Sequence, residues 1–163
     1  MTYYDKIAKG YNELHGEEQK KKLAVIKENL VVKGTDKLLD VGCGTGLSSG
    51  FGCEVFGLDP SKELLKQCPL PDDHKILGKA EKIPFKDSYF DIVISVTAVH
   101  NFDDIEKGIS EMKRVGKGRF VFSVLKSTKS EEIKKIIEHN FMIEKEIEEE
   151  KDIIIIAKKI EKV

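Results

Sequence analysis

Apolar positions along the chain follow two periods. Leu23, Ile26 and Leu30 recur at i, i+3 and i+7, which predicts an amphipathic helix over residues 17–30, with a separate helix over residues 4–14 ahead of it. Short apolar runs then predict seven strands: Lys37–Val41, residues 54–58, Lys75–Leu77, Phe90–Val96, and residues 118–125, 141–147 and 152–157. The run FDIVISV and residues 153–156 have no polar face, so both are expected to be buried on two sides. Helices fall between the strands. Ser61 opens one that carries Leu64 and Leu65 inward, and Ser130 caps one with Ile133, Ile136 and Ile137 inward before Asn140 ends it. Asp103-Asp104-Ile105-Glu106 reads as a D-x-x-E capping box ahead of Ile105, Ile109 and Met112. Strands alternating with helices predict an α/β fold with a mostly parallel sheet. The tight connection at residues 148–151 makes the last two strands antiparallel.

The candidate chemistry begins where the first strand runs into Gly42, Gly44 and Gly46. Glycines at alternate positions let the backbone turn sharply and approach a ligand without Cβ atoms in the way. Amides at the start of a following helix favour negative charge. The dinucleotide fingerprint G-x-G-x-x-G does not fit, because the third glycine comes one residue early and Leu47 stands in its place. A P-loop does not fit either, since no G-K-[ST] follows. Asp59 closes the second strand, where an acid can accept hydrogen bonds from both hydroxyls of a ribose. Only twelve residues separate Gly46 from Asp59, so the intervening helix is expected to be one or two turns long. That shortness leaves part of one sheet face thinly covered, unless another chain, such as a second copy in a homo-oligomer, covers it.

Past the fourth strand, the loop carrying His100 lies at the carboxyl end of the strand next to the glycine turn, where open α/β sheets bind ligands. His100 is therefore the candidate catalytic residue, and packing of the loop is its alternative role. His15 is a second candidate, whereas His74 and His139 read as surface or helix-end residues.

Composition narrows the class. A chain of 163 residues with 40% hydrophobic and 35% charged positions is expected to be one globular domain. Its apolar runs are too short to cross a bilayer and no signal-peptide core opens it, so cytoplasmic residence is expected. A formal charge of −1 gives no broad attraction to nucleic acid, and the Lys20, Lys21, Lys22 cluster reads as the wet face of a helix. Cys43, Cys53 and Cys68 are odd in number and lack C-x-x-C spacing, so neither a metal site nor a disulfide framework is expected.

Four motifs occur together: Asp40-Val41-Gly42-Cys43-Gly44-Thr45-Gly46 with Asp59 following, Tyr4-Asp5-Lys6-Ile7-Ala8 with Tyr11, Gly78-Lys79-Ala80-Glu81-Lys82-Ile83-Pro84-Phe85, and Phe90-Asp91-Ile92-Val93. With them the stretch from Tyr4 to Phe122 resembles the class I S-adenosylmethionine-dependent methyltransferases, in particular the ubiquinone/menaquinone-biosynthesis branch. The resemblance implies a Rossmann-like seven-stranded sheet with the last strand antiparallel and helices on both faces. It also implies S-adenosyl-L-methionine as cofactor. In the turn the cofactor would meet Asp40, Gly42, Cys43, Gly44 and Gly46, and after the second strand Asp59 and Pro60. Ala80, Glu81 and Ser95 would meet it further on. Residues 1–30 would form a helical lid segment, with Tyr4 and Tyr11 over the methionine end and residues 1–17 disordered or displaced when no ligand is bound.

Two departures bear on function. Lys79 stands where the family usually has an acid that contacts the adenine amino group. Strand four ends in Ser95-Val96-Thr97-Ala98, not in the Asn/Asp-Pro-Pro-aromatic grip of nucleobase amino-methyltransferases, which favours a small-molecule acceptor over nucleic acid. Two other classes stay open: a catalytically degenerate methyltransferase fold that binds cofactor or acts as a scaffold, and a nicotinamide oxidoreductase.

Overall fold

A computed structural model describes residues 3–46 and 50–160, with side chains from Gly16 onward. Seven strands form one sheet: β1 (Lys37–Val41), β2 (Glu54–Asp59), β3 (Lys75–Leu77), β4 (Phe90–Val96), β5 (Gly116–Leu125), β6 (Phe141–Glu148) and β7 (Asp152–Lys159). Their order is β3-β2-β1-β4-β5-β7-β6. The first five are parallel, while β7 runs antiparallel between β5 and β6, as the short connection requires. Strand order reverses between β1 and β4, so the crevice at their carboxyl ends is the place for a ligand.

Among the described residues four α-helices accompany the sheet: α1 (Tyr3–Asn29), α2 (Lys62–Lys66), α3 (Ile105–Val115) and α4 (Ser130–Asn140). Alternation along the strands divides the core in two. Leu39, Val41, Phe120 and Phe122 meet Ile109 and Met112 of α3 and Ile133 and Ile137 of α4, whereas Leu38, Ile92, Ile94 and Val121 meet Leu23, Ile26 and Leu30 of α1. Residues 153–156 sit between the two cores, fully buried except for the half-buried Ile153.

Several local expectations are corrected. One continuous helix replaces the two expected before residue 30. A Cβ on Gly16 would meet nothing within 4 Å among the described residues, and a single glycine costs a helix only about 1 kcal/mol, too little to stop it. The capping residue of α3 is Asp104, whose carboxylate accepts from the Lys107 amide at 3.1 Å. Asp103 lies one residue outside, drawn to Lys79. Ser130 does not cap α4; its hydroxyl donates to the Ser127 carbonyl at 2.7 Å.

The short β1–β2 crossover has no α-helix among its described residues, and residues 47–49, where the expected helix begins, lie outside them. Phe51, Cys68 and Leu70, all buried, fill the sheet face that such a helix would cover.

Candidate functional site

The site starts with a buried strand that ends abruptly. Gly42, Gly44 and Gly46 have φ of 78°, 53° and 78°, the left-handed region that residues with a Cβ seldom adopt. A Cβ on Gly42 would fall 2.6 Å from that of Ala98, and one on Gly46 would fall 2.3 Å from the Cys68 sulfur. Those two glycines are demanded by packing. Gly44 differs, since among the described residues the nearest atom to a Cβ there is Leu64 Cδ1 at 4.0 Å, and the turn is open to that extent.

Asp59 holds the turn in shape. The residue is 6% exposed, with Oδ2 accepting from the Gly44 amide at 2.9 Å and Oδ1 from the Ser61 amide at 2.8 Å. Ser61 in turn caps α2 through the Leu64 amide at 3.2 Å. The acid at the end of β2 therefore ties the glycine turn to the following helix.

Beside the turn opens a cleft of about 180 Å³ with apolar walls from Leu58, Pro60, Ala80 and Phe102, and with Lys79, Glu81, Asn101 and Asp103 as its polar lining. Of the expected site residues, Gly42, Pro60, Ala80 and Glu81 line it. It is smaller than a typical pocket for a whole drug-sized ligand, roughly 300–1,000 Å³. Arg114 fixes the segment below its rim by donating to the Ile83 and Phe85 carbonyls at 2.8 Å each.

The other expected residues are placed differently. Ser95 is fully buried behind the wall, its hydroxyl donating to the Val41 carbonyl at 2.9 Å, so it stitches β4 to the end of β1. The Cys43 thiol packs against Gly57, 2.6 Å from where a Cβ would stand. Burial pushes this thiol well up, with Asp40, Cys68 and Asp59 adding to the effect. Asp40 is buried in β1. The side chains of Tyr4, Tyr11 and His15 lie outside the described residues.

A second cluster was not anticipated. On the α1 side of the sheet the Lys22 ammonium contacts Asp152 Oδ1 at 3.0 Å and donates to the Thr97 hydroxyl at 2.8 Å. Thr97 and Ser123 each donate to Asp152 Oδ2 at 2.9 Å. Asp152 and Ser123 are fully buried and Lys22 is 9% exposed. Lys22 thus lies on the buried face of α1, not with the exposed Lys20 and Lys21. Thr97 adopts φ of 53°, a conformation that costs a β-branched residue on the order of 1–3 kcal/mol and persists only where its surroundings enforce it. The signal in the sequence was faint: a lysine one turn before Ile26, and an acid opening a run of four isoleucines.

His100 lies in the single-turn helix Val99–Asn101 just beyond Thr97. Its Nδ1 is buried without a hydrogen-bond partner among the described residues. Burial, helped by Lys129 and Lys22 and opposed by Asp152, holds its pKa below the usual histidine value. It is absent from the lining of the cleft and belongs electrostatically to the buried cluster. Among the described residues no group of three His, Cys, Asp or Glu is arranged to hold a metal, and no helix is long and apolar enough to cross a membrane.

Comparison with known proteins agrees with this architecture. Residues 39–122 match the methyltransferase domain family. An uncharacterised protein of Methanocaldococcus jannaschii is 33% identical over 128 residues, covering 75% of this chain and 50% of its own. A demethylmenaquinone methyltransferase of Chlorobaculum parvum is 40% identical over 88 residues, covering 48% and 36%. The chain spans about half the length of the curated relatives it matches, or less. A solved protein of Pyrococcus horikoshii superposes with a TM-score of 0.77 at 18% identity over 98% of this chain and 99% of that one, a likeness of fold. A methyltransferase from an antibiotic biosynthesis pathway of Anabaena variabilis superposes with a TM-score of 0.60 at 28% identity, covering 64% and 45%. Sheet order, glycine turn and family match converge, and the chain belongs to the class I S-adenosylmethionine-dependent methyltransferases.

Proposed function

We propose that this protein transfers a methyl group from S-adenosylmethionine to a small-molecule acceptor. The observation that carries the reading is the glycine turn, tethered by Asp59 and open above Gly44, at the point where strand order reverses. A ligand can approach the backbone there, while Pro60 and Ala80 offer an apolar slot and Asp59, held by the Gly44 and Ser61 amides beside the cleft, a carboxylate for ribose hydroxyls. Gly42, Cys43 and Gly46 contribute backbone, and Asp40 and Ser95 support the turn from inside the sheet.

The cofactor supplies a methyl group already activated by the positive charge of its sulfur. The protein's task is to align the acceptor, exclude water and take a proton where the acceptor carries one. His100 is assigned the last role. Its half-buried ring has its pKa held below the ordinary histidine value by burial, so the neutral form that can accept a proton predominates near neutral pH. The first turns of α1 act as the lid. Relatives are named for demethylmenaquinone and for malonyl-[acyl-carrier protein], which fits a shared region that holds the methyl donor while the acceptor varies.

Calorimetry with S-adenosylhomocysteine, followed by a screen of small acceptors with S-adenosylmethionine, tests the proposal. Micromolar binding and turnover of an acceptor are expected. No binding would overturn it, and binding with no turnover across the screen would leave a cofactor-binding protein.

A further inference from the structure

We infer that Thr97 is a positioning residue for the cofactor turn. The buried Lys22–Asp152 pair holds it at its left-handed angle, and that angle sets Ala98 against Gly42. The inference rests on the methyltransferase reading and adds what keeps the turn in its binding shape.

The contact to explain lies at the back of the turn. A Cβ on Gly42 would fall 2.6 Å from that of Ala98, and apart from chain neighbours no other described atom lies within 4 Å of that point. Ala98 is therefore the wall on that side of a glycine that lines the cleft. Its place is decided one residue earlier. Thr97 follows directly on β4 with φ of 53°, and returning that angle to the extended range would swing the next residue off the turn.

Three elements hold Thr97. Its hydroxyl accepts from the Lys22 ammonium of α1 at 2.8 Å and donates to Asp152 of β7 at 2.9 Å, and its amide donates to the Ser123 carbonyl of β5 at 2.9 Å. The Gln19 side chain of α1 donates to the neighbouring Val96 carbonyl at 3.4 Å. A glycine would take this angle without cost, so what threonine contributes is the hydroxyl. Were the cluster only a bond between helix and sheet, the Lys22–Asp152 contact at 3.0 Å would suffice, with no strained residue between. Strain of this kind survives only where its surroundings enforce it, and it gathers at functional sites.

The test separates the angle from the ion pair. Lys22→Met together with Asp152→Leu removes both charges and the partners of the hydroxyl while keeping side-chain volume, so the double variant should still melt cooperatively. By calorimetry it should bind S-adenosylhomocysteine at least about tenfold more weakly than the parent, because an unsupported threonine leaves the left-handed region. Adding Thr97→Gly should bring the affinity back to within about threefold, a rescue that a merely structural cluster would not produce. Thr97→Ala and Thr97→Gly in the otherwise unchanged protein repeat the contrast at a half-buried position. Both lack the hydroxyl and only alanine keeps the strain, so alanine should bind about tenfold more weakly than glycine. If the double variant does not melt cooperatively, this pair decides alone. Parental affinity in a folded double variant, a loss that glycine does not restore, or equal affinity of the alanine and glycine variants would each overturn the inference. A parent that binds no S-adenosylhomocysteine would overturn the cofactor reading instead. Amide exchange at Gly42, which donates to the Leu58 carbonyl at 2.7 Å, then carries the same test without ligand: faster exchange in the alanine than in the glycine variant supports the positioning role, and equal exchange refutes it.

Discussion

On one side of the glycine turn Lys22 and Asp152 face each other in the interior with two hydroxyls between them, while on the other Lys79 and Asp103 pair in the open. Each is a lysine–aspartate contact near 3 Å, yet the two differ in what water allows. A buried charge that loses its partner cannot be rescued by solvent, whereas an exposed one is hydrated at once. The first pair therefore governs whether the loop after β4 keeps its shape, and the second is available for recognition.

The largest expected effect lies in the buried pair. Asp152→Ala leaves Lys22 uncompensated and both hydroxyls without their acceptor, and should cost about 3–5 kcal/mol in urea unfolding. A loss under about 1 kcal/mol would mean that the cluster is hydrated and that the contrast with the open pair fails.

Asp59 stands between the two cases. Asp59→Ala should weaken S-adenosylhomocysteine by about 1–3 kcal/mol in calorimetry, through the ribose hydroxyls and the freed Gly44 amide. Asp59→Asn should be no milder, because both carboxylate oxygens accept from backbone N–H groups and an amide would turn its NH2 toward one of them. Parental affinity in the asparagine variant would show that a single accepted bond is enough to hold the turn.

Two histidines extend the contrast to pH. His74 stacks on Phe56 with ring centroids 4.3 Å apart, and its bond to Asp73, opposed by burial and supported by Glu54, raises its pKa. Its contribution to stability should be complete below about pH 6.5 and fade as pH rises through the raised value. His100 has the opposite sign, since burial lowers its pKa and stability is lost as pH falls below about 6.5. Comparing melting temperatures at pH 5 and pH 8, His74→Gln should remove the low-pH gain and His100→Gln the low-pH loss. The same direction of change in both would refute these assignments.

The smallest effect is expected from Lys79→Met on folding, where a scan of melting temperature should show no change. A clear drop would place the open pair among the supports of the fold.

How much of this was legible follows from the range of each interaction. The seven strands could be read because each is a short apolar run, and the antiparallel ending because a four-residue connection permits nothing else. Helix ends were less secure. Gly16 carries a local signal too weak to stop a helix, Ser130 gives its hydroxyl to the Ser127 carbonyl instead of capping, and of two adjacent acids it is Asp104, not Asp103, that accepts from the Lys107 amide. The glycine turn and Asp59 were visible as a motif, but the bonds of Asp59 to two amides were not. The buried cluster was hidden most fully: its members come from α1, the end of β4, β5 and β7, and only the folded sheet brings them together.

That arrangement has a consequence for the order in which the molecule is made. Lys22 emerges before every strand of this sheet, and Asp152 opens β7, which follows all the others yet must settle between β5 and β6. A nascent chain that has already formed β1 to β5 still has Lys22 without its counter-charge and Thr97 without the acceptor that holds it at a costly angle. Closing so long a loop is slow compared with forming the helices. The glycine turn can exist before that moment, but the loop beside it gains its fixed shape only when β7 arrives, so competence to bind and hold a substrate should come as the closing event of folding.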